Sequence, residues 1–242
     1  MSSHHGPEAR GHRLRPVMIP TLLLLAVSTL VAPSVAGANG FTSKSAGQIF
    51  KTAVSDSGAA GSFTVHGDIR QPKMDLTLDL SLSDSGLADG SLSINGGKAQ
   101  IREISGVGYF EGDTAFWTKN ANAATAQLFA GKWIYAPVTN SFFSSFRSFL
   151  SPRPFIQSFF GSDQGPYTKG TTRVIDGTRT IGVMSDGPGT MYVATSGAHV
   201  IVNVQGSQGT SSVSLTFGSY GVAVHPVKPA DAVSLQSLES SS

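Results

Sequence analysis

The chain has 242 residues, 40% hydrophobic and 9% aromatic, with 28 Gly, 12 Pro and no Cys. Only 13% of its residues are charged, against about 25% in an ordinary soluble chain. That balance excludes disorder over most of its length and supports one large domain if the fold is all-β. The absence of Cys excludes disulfides, Cys-based zinc sites, thiol catalysis and a thioether lipid anchor.

The first 38 residues read as an export leader. Arg10, Arg13 and Arg15 precede an apolar run from Val17 to Ala32, and Ala36-Gly37-Ala38 offers a small-residue cleavage site. A basic n-region, a short apolar h-region and an A-x-A exit specify a secretory signal peptide cut after Ala38. The competing reading is an uncleaved anchor. The run contains Pro20 and is 16 residues long, short of the about 20 needed to span a bilayer. The formal charge of +2 lies in this segment, because 14 basic and 14 acidic residues remain after it. Nucleic-acid binding needs clustered cations to displace counterions. No Lys/Arg cluster follows residue 38, so nucleic acid is excluded as a partner.

The mature chain is expected to be mainly β, with one large antiparallel sheet and a few short helices. Ser43 to Ser57 reads as an amphipathic helix, since Ala46, Ile49, Phe50, Ala53 and Val54 form one stripe that Gly58 ends. From Ser62 the period becomes two. Phe63 and Val65, then Met74, Leu76, Leu78, Leu80 and Leu82, alternate with polar residues, giving antiparallel strands with one wet face. Gly67 and Pro72 are expected to break the run between them.

Ala88 to Asn95 and Lys98 to Ile104 read as a hairpin about Asn95-Gly96-Gly97, whose backbone must visit positive φ. Val107 to Glu111 and Asp113 to Lys119 read as a second hairpin. Asn122 to Ala130 reads as a short helix, and Trp133 to Tyr135 as a strand stopped by Pro137. Five further strands are expected over Thr172–Asp176, Arg179–Ser185, Thr190–Thr195, His199–Gln205 and Ser212–Phe217, separated by Gly-rich turns such as Asp186-Gly187-Pro188-Gly189. Three units follow from this pass: leader 1–38, a β-rich domain 39–233, and a disordered Ser-rich tail 234–242.

Seven of the 14 Phe lie between residues 142 and 160. Phe142, Phe143, Phe146, Phe149 and Leu150 share one helical face, and Phe155, Ile156, Phe159 and Phe160 share another after Pro154. Burying one Phe is worth about 1.5–3 kcal/mol, so this segment must cover something apolar. Three coverings are open: a filled core, the rim of an apolar cavity, or transient contact with a membrane surface. Against the last, the segment lacks the Lys/Arg-rich face of surface helices.

No catalytic constellation stands out. His66, His199 and His225 have no partners at metal-ligand spacing, no G-x-S-x-G elbow occurs, and no phosphate-binding Gly-rich motif is present. Asp75 and Asp79 share the polar face of one strand and read as a solvated surface. No enzyme activity, metal or cofactor is expected.

The order of the parts resembles the LppX/LprAFG-type actinobacterial lipoproteins, relatives of the LolA/LolB carriers. The matching segments are the helix and strand from Ile49 to Gly67, Val107-Gly108-Tyr109-Phe110 with Phe116-Trp117, and Gly131-Lys132-Trp133-Ile134. In the C-terminal half they are Gly189-Thr190-Met191-Tyr192-Val193 and Leu215-Thr216-Phe217-Gly218-Ser219-Tyr220-Gly221. The resemblance covers about residues 42–233. It implies a half-barrel around an apolar cavity that holds a lipid, a glycolipid or a lipoprotein acyl chain without catalysis. The candidate residues for lining or closing that cavity are Phe142, Phe143, Phe146, Phe149, Phe155, Phe159, Phe160, Trp117 and Trp133. The family's lipobox Cys has no counterpart here, which implies an exported, extracellular or envelope-associated protein not anchored through Cys. The alternative is a structural or protein-interaction module of the envelope with a filled core.

Overall fold

The computed structural model describes residues 40–185 and 189–239. The expected leader, the turn at 186–188 and the last three residues of the tail lie outside the described residues.

The chain opens with α1 (Ala46–Gly58), whose Ser45 side chain accepts from Gln48 N–H while the Gln48 side chain accepts from Ser45 N–H. This reciprocal capping box satisfies two donors that a helix start leaves unpaired. Its buried stripe is Ala46, Ile49, Phe50 and Ala53, with Val54 half-buried beside it. Five strands follow: β1 (Ser62–Gln71), β2 (Met74–Ser83), β3 (Leu87–Ile94), β4 (Gly97–Ile104) and β5 (Val107–Gly112). Then come α2 (Thr114–Asn120), α3 (Ala123–Phe129), β6 (Ile134–Pro137), α4 (Ser141–Ser144), a 3-10 turn at Arg147–Phe149 and α5 (Pro152–Phe160). The second half holds β7 (Thr168–Ile175), β8 (Thr178–Met184), β9 (Thr190–Ala194), β10 (Ile201–Gln208), β11 (Ser211–Gly218), β12 (Val233–Ser234) and α6 (Leu235–Glu239).

All twelve described strands join one open sheet in the order β12-β6-β5-β4-β3-β2-β1-β11-β10-β9-β8-β7. Every pairing is antiparallel except the short β12–β6 contact. The expected large sheet is therefore present, with one parallel pair at its end. In β2, Met74, Leu76, Leu78, Leu80 and Leu82 are buried while Asp75, Thr77 and Asp79 face solvent. The apolar set joins a single cluster with the buried faces of α1, α2, α3 and α5. Here one face of the sheet carries the helices and the other is wet; in β9 and β10 the second face is covered as well, with Tyr192, Ala194 and Val202 buried.

Four expectations are corrected. Gly67 does not break β1; it lies inside the strand at φ +141° and pairs with both neighbours. A Cβ there would sit 1.8 Å from the Ser214 carbonyl oxygen, so the strand continues because this residue has none. Asp113 to Lys119 is not a strand. Asp113 accepts from Phe116 N–H at 2.6 Å and caps α2, which buries the adjacent Phe116 and Trp117 together; a strand would send them to opposite faces. Gly97 and Gly112 make the seat, since a Cβ on either would fall 2.6–2.8 Å from Phe116.

The first expected aromatic helix is instead α4 and a separate 3-10 turn. Ser144 Oγ donates back to Ser141 O at 2.6 Å, the local competition by serine that weakens continuous helix. The tail is ordered at its start: Val233 and Ser234 pair with Ile134 and Tyr135, and Leu235 is 2% exposed. Burial of that leucine contributes about 1.5–3 kcal/mol against the entropy of fixing the segment, alongside the pairing of β12 with β6.

Candidate functional site

The Phe-rich segment divides in two. Phe143, Phe146, Phe149 and Phe155 are no more than 1% exposed and fill the interior. Phe143 occupies the space left by Gly108, where a Cβ would lie 2.6 Å from its ring. Phe146 packs on Phe110 with centroids 4.8 Å apart. Half-buried Phe142 closes this group against Phe110 and Trp117.

Phe159 and Phe160, at the C-terminal end of α5, are half-buried and do something different. Together with Phe50 of α1 they form one wall of a cavity. The opposite wall is the inner face of the sheet: Val183 of β8, Met191 of β9, Val204 of β10, Val213 and Leu215 of β11, and Ile69 of β1. Polar residues stand where the strands end, with Gln71, Ser185, Ser211 and Ser212 from hairpin ends and Asp163 from the loop after α5. Arg70 supplies a cation at the same end.

The cavity is about 80 Å³ and opens to solvent at its mouth. It is a small apolar slot with a polar rim.

The loop that carries Asp163 is tied to α1. Tyr167 stacks on Phe50 with centroids 4.6 Å apart and donates from its hydroxyl to Asp163 O at 2.8 Å. Burial, then the nearby Asp163 carboxylate, pushes the Tyr167 hydroxyl up to about 12. Protonated, it holds one rim of the slot in place across the ordinary pH range.

Of the nine candidate residues, the structure brings Phe159 and Phe160 to the slot. Phe142, Phe143, Phe146, Phe149 and Phe155 pack elsewhere in the interior. Trp117 is 3% exposed in the same core, with its Nε1 buried and unpaired. Trp133 lies half-buried beneath the Arg102 guanidinium, 4.6 Å from its ring. Arg102 also pairs with Asp89 at 2.7 Å and donates to Val227 O.

The sequence reading passed over the sheet wall of the slot and Phe50. Val183, Met191, Val204 and Leu215 are inward positions of strands already legible by alternation. Their meeting opposite α5 depends on β11 returning beside β1, which no local pattern announces.

A second depression, about 900 Å³ with solvent included, lies over β2 to β5. It is lined by Thr77, Asp79, Ser91, Ser93, Lys98, Gln100 and Glu111 of the wet face, with Leu78, Leu92 and Ala99 between them. Among the described residues, no three His, Asp or Glu are grouped to hold a metal ion, and no helix is long and apolar enough to cross a membrane. His66 and His225 are exposed. His199 stacks on Phe41 with centroids 3.5 Å apart and places Nδ1 3.1 Å from Ala194 O.

No family model and no curated protein matches this sequence. Solved structures do. LprF from Mycobacterium bovis is 14% identical and superposes with a TM-score of 0.51 over 76% of this chain and 97% of its own. The Mycobacterium tuberculosis lipoprotein LppX is 15% identical, with a TM-score of 0.46 over 74% and 96%. The chain therefore has the LprF fold, and the resemblance read from its motifs holds at the level of fold.

Proposed function

We propose that this protein is a non-catalytic holder of an acyl chain, working outside the cytoplasm, and that the chain lies in the slot between α5 and β8–β11. The observation that carries this reading is the slot itself. Nine of its described lining residues are apolar, while its polar groups gather at the strand ends. An amphiphile matches that distribution, with methylenes inside and a head group among Gln71, Ser185, Ser211 and Ser212. Each buried methylene contributes about 0.8 kcal/mol, set against the cost of immobilising the ligand. The LprF fold and the export leader read from residues 1–38 support the same reading.

The fully buried Phe143, Phe146, Phe149 and Phe155 favour a second reading, an envelope module whose interior is complete without a ligand. Native mass spectrometry of the protein incubated with a fluorescent fatty acid separates the two. The acyl-holder reading expects a one-to-one adduct; a clean apo mass with no uptake contradicts it.

A further inference from the structure

The larger of the two described hollows is on the wet face. Without the open solvent above it, the depression over β2 to β5 is about 480 Å³, against about 80 Å³ for the slot. Ligand sites run from roughly 300 to 1,000 Å³. Two rows of cross-strand neighbours build this hollow. Asp79, Ser91, Gln100 and Glu111 follow one another across four strands, and Thr77, Ser93 and Lys98 form the next row. Neighbours in a row stand about 4.8 Å apart, and the rows about 6.8 Å apart. Ser91 and Ser93 are the short side chains in the middle, with longer ones on β4 and β5 as a rim. Thr77 donates to Asp68 and Gln100 to Glu111. Asp79, Ser91, Ser93 and Lys98 have no side-chain partner among the described residues. Beside the Glu111 end, Tyr135 is 37% exposed and lies against Tyr109 with centroids 6.0 Å apart.

We infer that this hollow is a second binding site, for a neutral glycan chain laid across the strands from Asp79 to Glu111 and on to the Tyr135 ring. Charge narrows the occupant first. Three acids, Asp79, Glu111 and Asp113, line the hollow with one base, Lys98. That balance repels an anionic lipid surface and a second copy of the same face. Topology narrows it further, because β2 to β5 are each paired on both sides and leave no strand edge for an extended peptide. What remains is a field of adjacent donors and acceptors: hydroxyls, a carboxamide, carboxylates and an ammonium. Vicinal sugar hydroxyls, which both donate and accept, match that field, and the apolar face of a sugar ring matches an exposed Tyr. The site is independent of the slot.

The test titrates the full chain, by isothermal calorimetry, with neutral hexasaccharides of gluco, galacto and manno configuration, with oligolysine and with phosphatidylglycerol vesicles. Wild type should bind at least one hexasaccharide, and saturating oleate should leave that binding unchanged. Ser91→Trp, which fills the hollow from an exposed position, and Gln100→Ala should each weaken it at least tenfold, with the urea midpoint kept. Tyr135→Ala should weaken it at least threefold. Gln100→Ala, a truncation of an exposed side chain, decides the matter if Ser91→Trp does not fold. Binding of none of the hexasaccharides would overturn the site. Saccharide binding that Gln100→Ala and a folded Ser91→Trp leave intact would overturn its placement on this face. Tighter binding of oligolysine or of the vesicles than of any saccharide would overturn the ligand class. Competition between oleate and the saccharide would overturn its independence from the slot.

Discussion

Single residues decide several features of this molecule. Gly67 is the clearest case, since its φ of +141° and the Ser214 carbonyl oxygen, 1.8 Å from where a Cβ would lie, both reject a side chain. Gly67→Ala should lower unfolding free energy by at least the about 1–3 kcal/mol of a strained backbone, measured as a fall in urea midpoint. From sequence alone Gly67 looked like a strand breaker, because nothing local tells a bend apart from an end. Glu103 is a subtler case. Burial raises its carboxyl above the ordinary value, so the folded state disfavours the charged form. The stability linked to this group is complete at low pH and is lost as pH rises through the folded value. Glu103→Gln should therefore raise Tm at pH 7 and leave it unchanged near pH 3.

Tyr167 works in the alkaline range. Its hydroxyl, pushed up to about 12, titrates near 10 in an unfolded chain. Folding stability linked to it is whole below about pH 10 and declines between there and 12; burial moves Tyr220 in the same direction. Tyr167→Phe should flatten the decline of urea midpoint across that window.

At the scale of elements, the strands were the most legible part. Period-two alternation located β2, β4 and β11 to within a few residues because each has one buried face, and the Gly-rich turns bounded β8 to β10, which bury residues on both faces. The stretch 113–119 misled because Phe116 and Trp117 are adjacent apolar residues that fit either period. The Asp113 cap and the glycine seat on β4 and β5 decide for helix, and the seat is a tertiary fact. Ring count likewise said that residues 142–160 must be buried, but not which rings fill the core and which leave space. That division is testable. Phe149→Ala, at 0% exposure, should cost about 3–5 kcal/mol, whereas half-buried Phe159→Ala should cost clearly less by the same chemical denaturation. Leu235→Ala should cost about 2–5 kcal/mol if the end of the chain is part of the core, and almost nothing if it is frayed.

For the whole molecule, the sequence order already resembled the fold that LprF shares. What it could not place is the slot, which needs β11 beside β1 so that β8 to β11 face α5. This arrangement leaves most of the interior full and one end open. A photoreactive fatty acid bearing a terminal diazirine tests that picture most directly. After irradiation, peptide mapping should find label on the C-terminal end of α5 and on β9 to β11, near Phe159, Met191 and Val204. Label confined to the polar face over β2 to β5, or no label above that of a heat-unfolded control, would contradict it.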